Sequence, residues 1–147
     1  MTDVGQIEGS ALRQVRGLCP LIQVYDMPEA VRFYCDRVGF ELVSRSDERD
    51  TPEGRTFHWV WLRLGGADLM LNTAYDEGER PPLRDPEREA AHRDTGLFFD
   101  CPDVDGAAAE LRAAGVAVDG PKTAPYGMRQ LFIRDPDGYM LCFQSPA

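Results

Sequence analysis

The chain has 147 residues, with 16 Lys and Arg against 25 Asp and Glu and a net charge of −9. That balance excludes a protein whose main partner is a phosphate backbone or an anionic membrane surface, because both need clustered positive charge. No apolar run approaches the roughly 20 residues of a membrane helix.

The first 16 residues have weak periodicity and are expected to be a partly ordered leader; they lack the apolar stretch of a secretory signal. Residues 19–25 then read as a largely covered strand, with Gln23 its one polar position before Tyr25. Asp26 follows as a helix cap, with Pro28 near the helix start, where a missing N–H costs nothing. Ala30, Phe33, Tyr34 and Val38 fall at helical spacing, and Gly39 closes the helix as a residue free to take φ > 0. Residues 40–46 are the next strand and the charged, Pro- and Gly-containing stretch 47–55 is expected to be a loop. Residues 56–64, TFHWVWLRL, form a strand with two tryptophans; Gly65-Gly66 turns the chain, and 67–73, ADLMLNT, returns.

Residues 74–93, with Pro81, Pro82, Pro86 and many charges, have too little apolar content for a core element and read as a linker. After it the pattern repeats. A strand runs to Cys101, and Asp103 caps a helix whose stripe is Val104, Ala107, Ala108, Leu111 and Ala114. Gly115 stops that helix, and strands follow at 116–118, 126–134 and 139–145, with the turn DPDG at 135–138. A unit used only twice argues for a pseudo-symmetric pair, since repeat arrays need at least about three units to bury a continuous core. The division expected is a single domain over 1–147, with a leader at 1–16, module one at 17–73, a linker at 74–93 and module two at 94–147. Cys19, Cys35, Cys101 and Cys142 contain no CxxC pair, so reduced thiols in a cytoplasmic protein are expected.

The doubled unit, VYDMPEAVRFYCDRVGFEL in the first half, DLMLN before the linker and YGMRQLFIRDPDGYMLCF at the end together resemble the vicinal oxygen chelate superfamily. Its members include glyoxalase I, methylmalonyl-CoA epimerase, extradiol dioxygenases, metal-dependent antibiotic-modifying enzymes and bleomycin-resistance binding proteins. The resemblance spans about residues 17–145 and implies an α+β fold of two paired βαβββ modules with sheets curled around a cavity, often completed by a second copy in a homodimer. The enzymes of that superfamily hold a divalent metal at four strand positions. Here those positions fall on Cys19, on Met70, on Gly96 (or Thr95 one place off) and on Cys142, none of which offers the usual imidazole or carboxylate. His58 and His92 match none of these positions, and no GxSxG, phosphate loop or HExxH is present.

No metal or other cofactor is therefore expected. Alternation groups Cys19, Leu21 and Gln23; Asp68, Met70 and Asn72; and Met140, Cys142 and Gln144, sets that the resemblance turns toward the cavity. Phe57, Trp59, Trp61 and Arg63 share one face of their strand and His58, Val60 and Leu62 the other; which of the two looks inward is open, and the tryptophans fit either a ligand slot or a covered core or dimer contact. The expected ligand site is Cys19, Gln23, Trp59, Trp61, Met70, Asn72, Phe98, Tyr126, Met128 and Cys142. The expected function is metal-free binding of an aromatic or cationic small molecule, similar to the bleomycin-resistance branch. The alternative is a glyoxalase-like lyase, epimerase or dioxygenase with non-standard metal ligands.

Overall fold

The computed structural model describes residues 9–147, so the first half of the expected leader, residues 1–8, lies outside the described residues; a single 3-10 turn, Leu12–Gln14, follows. Module one contributes β1 (Leu21–Val24), α1 (Met27–Val31) with a π-helical continuation over Arg32–Val38, and β2 (Glu41–Arg45). A small hairpin, β3 (Arg49–Thr51) and β4 (Gly54–Thr56), precedes β5 (Trp59–Leu64) and β6 (Ala67–Thr73). The connecting segment carries α2 (Pro86–Ala91). Module two repeats the order with β7 (Gly96–Asp100), α3 (Val104–Ala113), β8 (Asp119–Thr123), β9 (Met128–Arg134) and β10 (Met140–Pro146).

The two four-stranded sheets have matching strand order, β1-β6-β5-β2 and β7-β10-β9-β8, and neither closes into a barrel. In each, the first strand runs parallel to the last, and the other pairs are antiparallel. No helix among the described residues is long and apolar enough to cross a membrane.

Both helices start as the sequence dictates. Asp26 accepts a hydrogen bond from Glu29 N at 3.1 Å and Asp103 one from Gly106 N at 2.9 Å, each satisfying an otherwise orphaned first-turn donor. Gly39 ends the first helix at φ 104°, with its N–H on the Tyr34 carbonyl, a backbone state that a Cβ would strain. One face of each sheet enters a common apolar core. Ile22, Val24, Val60, Leu62, Leu69 and Leu71 meet Met27, Ala30, Phe33 and Tyr34 there, and Leu131, Ile133, Leu141 and Phe143 meet Val104, Ala108 and Leu111. The burial of Val60 and Leu62 resolves the orientation of β5: Trp59, Trp61 and Arg63 lie on the face turned away from the core.

Four expectations need correction. The stretch 47–55, expected to be a loop, contains most of the β3–β4 hairpin, whose ladder runs from the Arg49 and Thr56 pair to the Thr51 and Gly54 pair and is flanked by charge pairing of Arg55 with Glu48 and Asp50 that hydrophobic patterning cannot reveal. Phe57 does not share the tryptophan face; the chain bends before Trp59 and Phe57 packs on the core. The short strand expected at 116–118 begins instead at Asp119, because Val116 is spent on ending α3: its N–H reaches the Leu111 carbonyl at 2.9 Å and its side chain is buried. Tyr126 lies before β9 rather than in it.

The β9–β10 turn fastens the modules together. Asp135 Oδ1 accepts from the N–H groups of Asp137 and Tyr139, both at 2.9 Å, while Tyr34 Oη donates to its Oδ2 at 2.6 Å. Asp137, 1% exposed, accepts at Oδ1 from Tyr25 N at 2.8 Å and Arg88 Nη1 at 2.9 Å. Arg84 bridges Glu29 and the Pro136 carbonyl. His92 donates from Nδ1 to the Asp137 carbonyl at 2.6 Å and stacks on Tyr139 at 3.9 Å, so its Nδ1 and one ring face serve the structure. The other histidine, His58, pairs with Glu77 at 3.1 Å.

Candidate functional site

Each sheet leaves one face uncovered by the chain's own helices, and these two faces carry the candidate site. On sheet one, strand register lines up Leu21, Met70 and Trp61 in one row and Gln23, Asn72 and Trp59 in the next. Leu21 is 47% exposed, an unusual surplus for a leucine in the middle of an apolar row. Arg63 and Asp68 close the far end of this face through a hydrogen bond of 2.8 Å, which holds the Asp68 carboxyl below its ordinary range, and the guanidinium lies 5.3 Å from the Trp61 ring. The buried Trp61 Nε1–H lies beside the same carboxylate and helps to hold it charged, without meeting hydrogen-bond geometry to any described residue.

On sheet two, Phe98, Cys142 and Phe132 form an apolar row. Phe98 is 55% exposed. Gln144 and Gln130 sit opposite each other in the next row, and Met128 lies beyond them in β9. Tyr126, although outside the strand, rejoins the face through its phenol, which donates to Gln130 Oε1 at 2.9 Å. Both faces combine aromatic walls with a few polar groups, the usual make-up of a small-molecule site.

Of the residues expected from sequence, Gln23, Trp59, Trp61, Met70 and Asn72 thus come together on sheet one, and Phe98, Met128 and Cys142 on sheet two, with Tyr126 attached through Gln130. Cys19 precedes β1 and lines a cavity of about 760 Å³ that also touches Asp68, Gly96 and Phe98, at the edges of both sheets. A cavity of about 910 Å³ is lined by Glu29 of α1, Phe33 and Arg37 of its π-helical continuation, residues 115–119 and residues of β9 and β10; it shares Phe132 with the aromatic row of sheet two but contains none of the expected site residues. Its rim is charged and adjoins the structural turn at Asp135, so the open aromatic faces are the better candidate.

Gln130 and Gln144 are the residues that the expected site omitted. Alternation groups Gln144 with Met140 and Cys142, but its pairing with Gln130 depends on the β9–β10 register, which sequence alone does not supply.

The four positions at which the superfamily's enzymes hold metal do not suit one here. Cys142 is buried, and burial pushes its thiol up to about 11, so it remains protonated where a metal requires thiolate. Cys19 is also pushed up, by burial and then by the charge of Asp68. At Gly96, which carries no ligand atom, a Cβ would meet the Phe98 ring at 2.9 Å and the Met140 methyl at 3.0 Å, so a side chain there would need both neighbours to shift. Among the described residues no three His, Cys, Asp or Glu side chains gather as a metal cluster.

Two βαβββ modules, each presenting an open face of aromatic and amide side chains, define a protein of paired-module, cavity-forming architecture. The chain belongs to the Glyoxalase/Bleomycin resistance protein/Dioxygenase superfamily, whose model matches residues 15–143. Among solved structures it is similar to TnmS3, an antibiotic binding protein from Streptomyces sp. CB03234, at 30% identity over 91% of this chain and 98% of that one, with a TM-score of 0.62. A glyoxalase/bleomycin resistance protein of the same organism is 31% identical over 86% and 97% of the two chains, with a TM-score of 0.58. The bleomycin-binding protein of bleomycin-producing Streptomyces verticillus, solved with copper(II)-bleomycin, shares the fold at 21% identity and a TM-score of 0.65, over 91% and 98%. No curated protein matches the chain significantly in sequence.

Proposed function

We propose that this protein binds and sequesters an aromatic small molecule of the antibiotic type, without metal and without chemical turnover. The observation that carries the reading is the pair of faces that no helix of the chain covers: they carry Phe98, 55% exposed, and the partly buried Trp59, Trp61 and Phe132, on sheets whose metal-ligand positions hold Cys19, Met70, Gly96 and Cys142. Burying apolar surface is worth about 25 cal/mol per Å², and rigid aromatic walls lose little entropy on binding. The likeness to antibiotic-binding proteins supports the same reading.

A second copy of the chain completes the site in this proposal, since two aromatic faces open to water are unstable partners for solvent and natural partners for each other. Four free cysteines support a reducing, cytoplasmic setting. The acids on the open face of sheet one, Asp68 and Glu41, lie in one row on either side of Arg63, and Asp68 pairs with it directly, so this charge is largely balanced within the row and recognition rests on aromatic and amide groups more than on charge.

Isothermal titration with bleomycin and a panel of aromatic antibiotics tests the proposal, with the ligand recovered afterwards for mass analysis. Saturable binding of an unchanged ligand, by a protein that light scattering shows to be a dimer, is the expected result. Conversion of the ligand that depends on an added divalent ion would contradict it.

A further inference from the structure

The polar row of sheet two has a direction. Tyr126 Oη donates to Gln130 Oε1 at 2.9 Å, and Gln130 Nε2 donates in turn to Gln144 Oε1 at 2.9 Å. Gln130 is 4% exposed, so its amide cannot exchange these partners for water without cost. Each glutamine has one acceptor oxygen and an NH₂ group with two donors. With both oxygens accepting, the donors left over are the second N–H of the buried Gln130 and both N–H groups of Gln144, which has no donor bond among the described residues; of the two, Gln144 is the half-buried side chain on the open face.

Coupling along the row favours that outcome. Turning the Gln144 amide alone would set its NH₂ against the NH₂ of Gln130 and leave a buried donor unpaired. Turning Gln130 as well would make the Tyr126 phenol an acceptor, its weaker role, because the oxygen lone pair is drawn into the ring, or would send its O–H to water, since Tyr126 is 71% exposed. Reversal of the row therefore gives up the bond that Tyr126 donates to Gln130. The apolar row of Phe132, Cys142 and Phe98 lies one row away on the same face, roughly 7 Å along the strands. A flat ring resting on Phe98 and Phe132 thus places its edge at Gln144.

We propose that Gln144 is a specificity-determining donor, held NH₂-outward by Tyr126 and Gln130 as positioning residues, and that the site selects aromatic ligands with a hydrogen-bond acceptor oxygen on the ring edge over those that present a donor. This rests on the open-face ligand site proposed above and names the chemistry it reads.

Three tricyclic probes of nearly one shape separate the possibilities by equilibrium dialysis against the full-length protein: fluorene with no polar group, 9-fluorenone with an acceptor, and carbazole with an N–H donor. The expected result is fluorenone binding about fivefold tighter than fluorene, in line with one net hydrogen bond, and carbazole no tighter than fluorene. Gln144→Leu should remove the fluorenone advantage, read as the ratio of fluorenone to fluorene affinity, with circular dichroism and the thermal unfolding midpoint showing that the variant folds. Tyr126→Phe should shrink the advantage and improve carbazole, because the row loses the donor that sets its direction. Equal binding of fluorenone and fluorene, a preference for carbazole, or a fluorenone advantage that survives Gln144→Leu overturns the inference while leaving the site reading intact. Failure of all three probes to bind removes the site reading and this inference with it.

Discussion

The β5–β6 turn of module one and the β9–β10 turn of module two occupy the same place in the duplicated unit, but only one of them holds other parts of the molecule. Gly65-Gly66 is a bare reversal, with open space where a Cβ at either position would stand. Asp135 and Asp137 are buried and bind the start of module one through Tyr25, its helix through Tyr34, and α2 through Arg88. Duplication supplies two copies of a turn, and one copy can become an anchor while the other stays a simple hairpin. Their open faces diverge in the same way: sheet one offers tryptophans and an ion pair, sheet two phenylalanines and an amide row.

The anchor gives the largest expected effect. Asp137→Ala leaves Arg88 facing a buried site without its carboxylate, and removal of one partner of such a pair costs about 3–5 kcal/mol. At about 2–4 °C per kcal/mol for a chain of this size, the unfolding midpoint should fall by roughly 6–20 °C in calorimetry. Gly66→Ala in the matching turn should leave the midpoint unchanged, and an equal loss at both turns would erase the contrast between them.

Acidity sharpens the same comparison. Burial pushes the Asp135 carboxyl up to about 6, against the hydrogen bond from Tyr34 and with a further push from Asp137. The folded state therefore holds this proton more tightly than the unfolded chain, so its contribution to stability is full below about pH 4 and is lost as pH rises through about 6. The size is about 3 kcal/mol at most, from two pKa units at about 1.4 kcal/mol each. Asp68 and Asp105 have the opposite sign: arginine hydrogen bonds hold both below their ordinary range, and their stabilisation is lost as pH falls below about 4. Asp135→Asn should flatten the slope of stability between pH 4 and 6 in urea titrations; an unchanged slope would place the titration elsewhere.

Much of this was legible in the sequence. Asp26, Asp103 and Gly39 announced the helix ends because capping is a local interaction, and alternation sorted Met70 with Asn72 and Cys142 with Gln144. What remained hidden depends on contacts between distant segments. The acids of DPDG read as turn chemistry, and nothing local shows that Tyr25, Tyr34 and Arg88 converge on them. The filled space at Gly96 and the partnership of Gln130 with Gln144 depend on strand register. The β3–β4 hairpin depends on charge pairing and on Thr51 Oγ1 donating to the Gly54 carbonyl, which leaves no apolar pattern.

A smaller effect separates the two cysteines at former ligand positions. Cys142 is buried on sheet two and its thiol is pushed up to about 11, while Cys19 is only half-buried at the edge of sheet one. At pH 8 about one Cys142 in a thousand is thiolate. Timed alkylation read by peptide mass analysis should label Cys19 well before Cys142 in the native protein, with both equal in denaturant. Rapid native labelling of Cys142 would contradict its placement.

The central claim is that the open faces are the binding surface, and the two tryptophans allow a direct check. Both rings lie on the open face of β5, with the Trp61 N–H buried beside Asp68, so a ¹⁵N–¹H correlation spectrum should show two indole N–H signals from that face. On titration with the antibiotic that binds best, both indole signals should shift in a saturable way, while the amides of Leu71 and Leu131 in the core stay in place. Saturable binding that moves core or α1 amides around the 910 Å³ cavity and leaves both indole signals untouched would contradict the account.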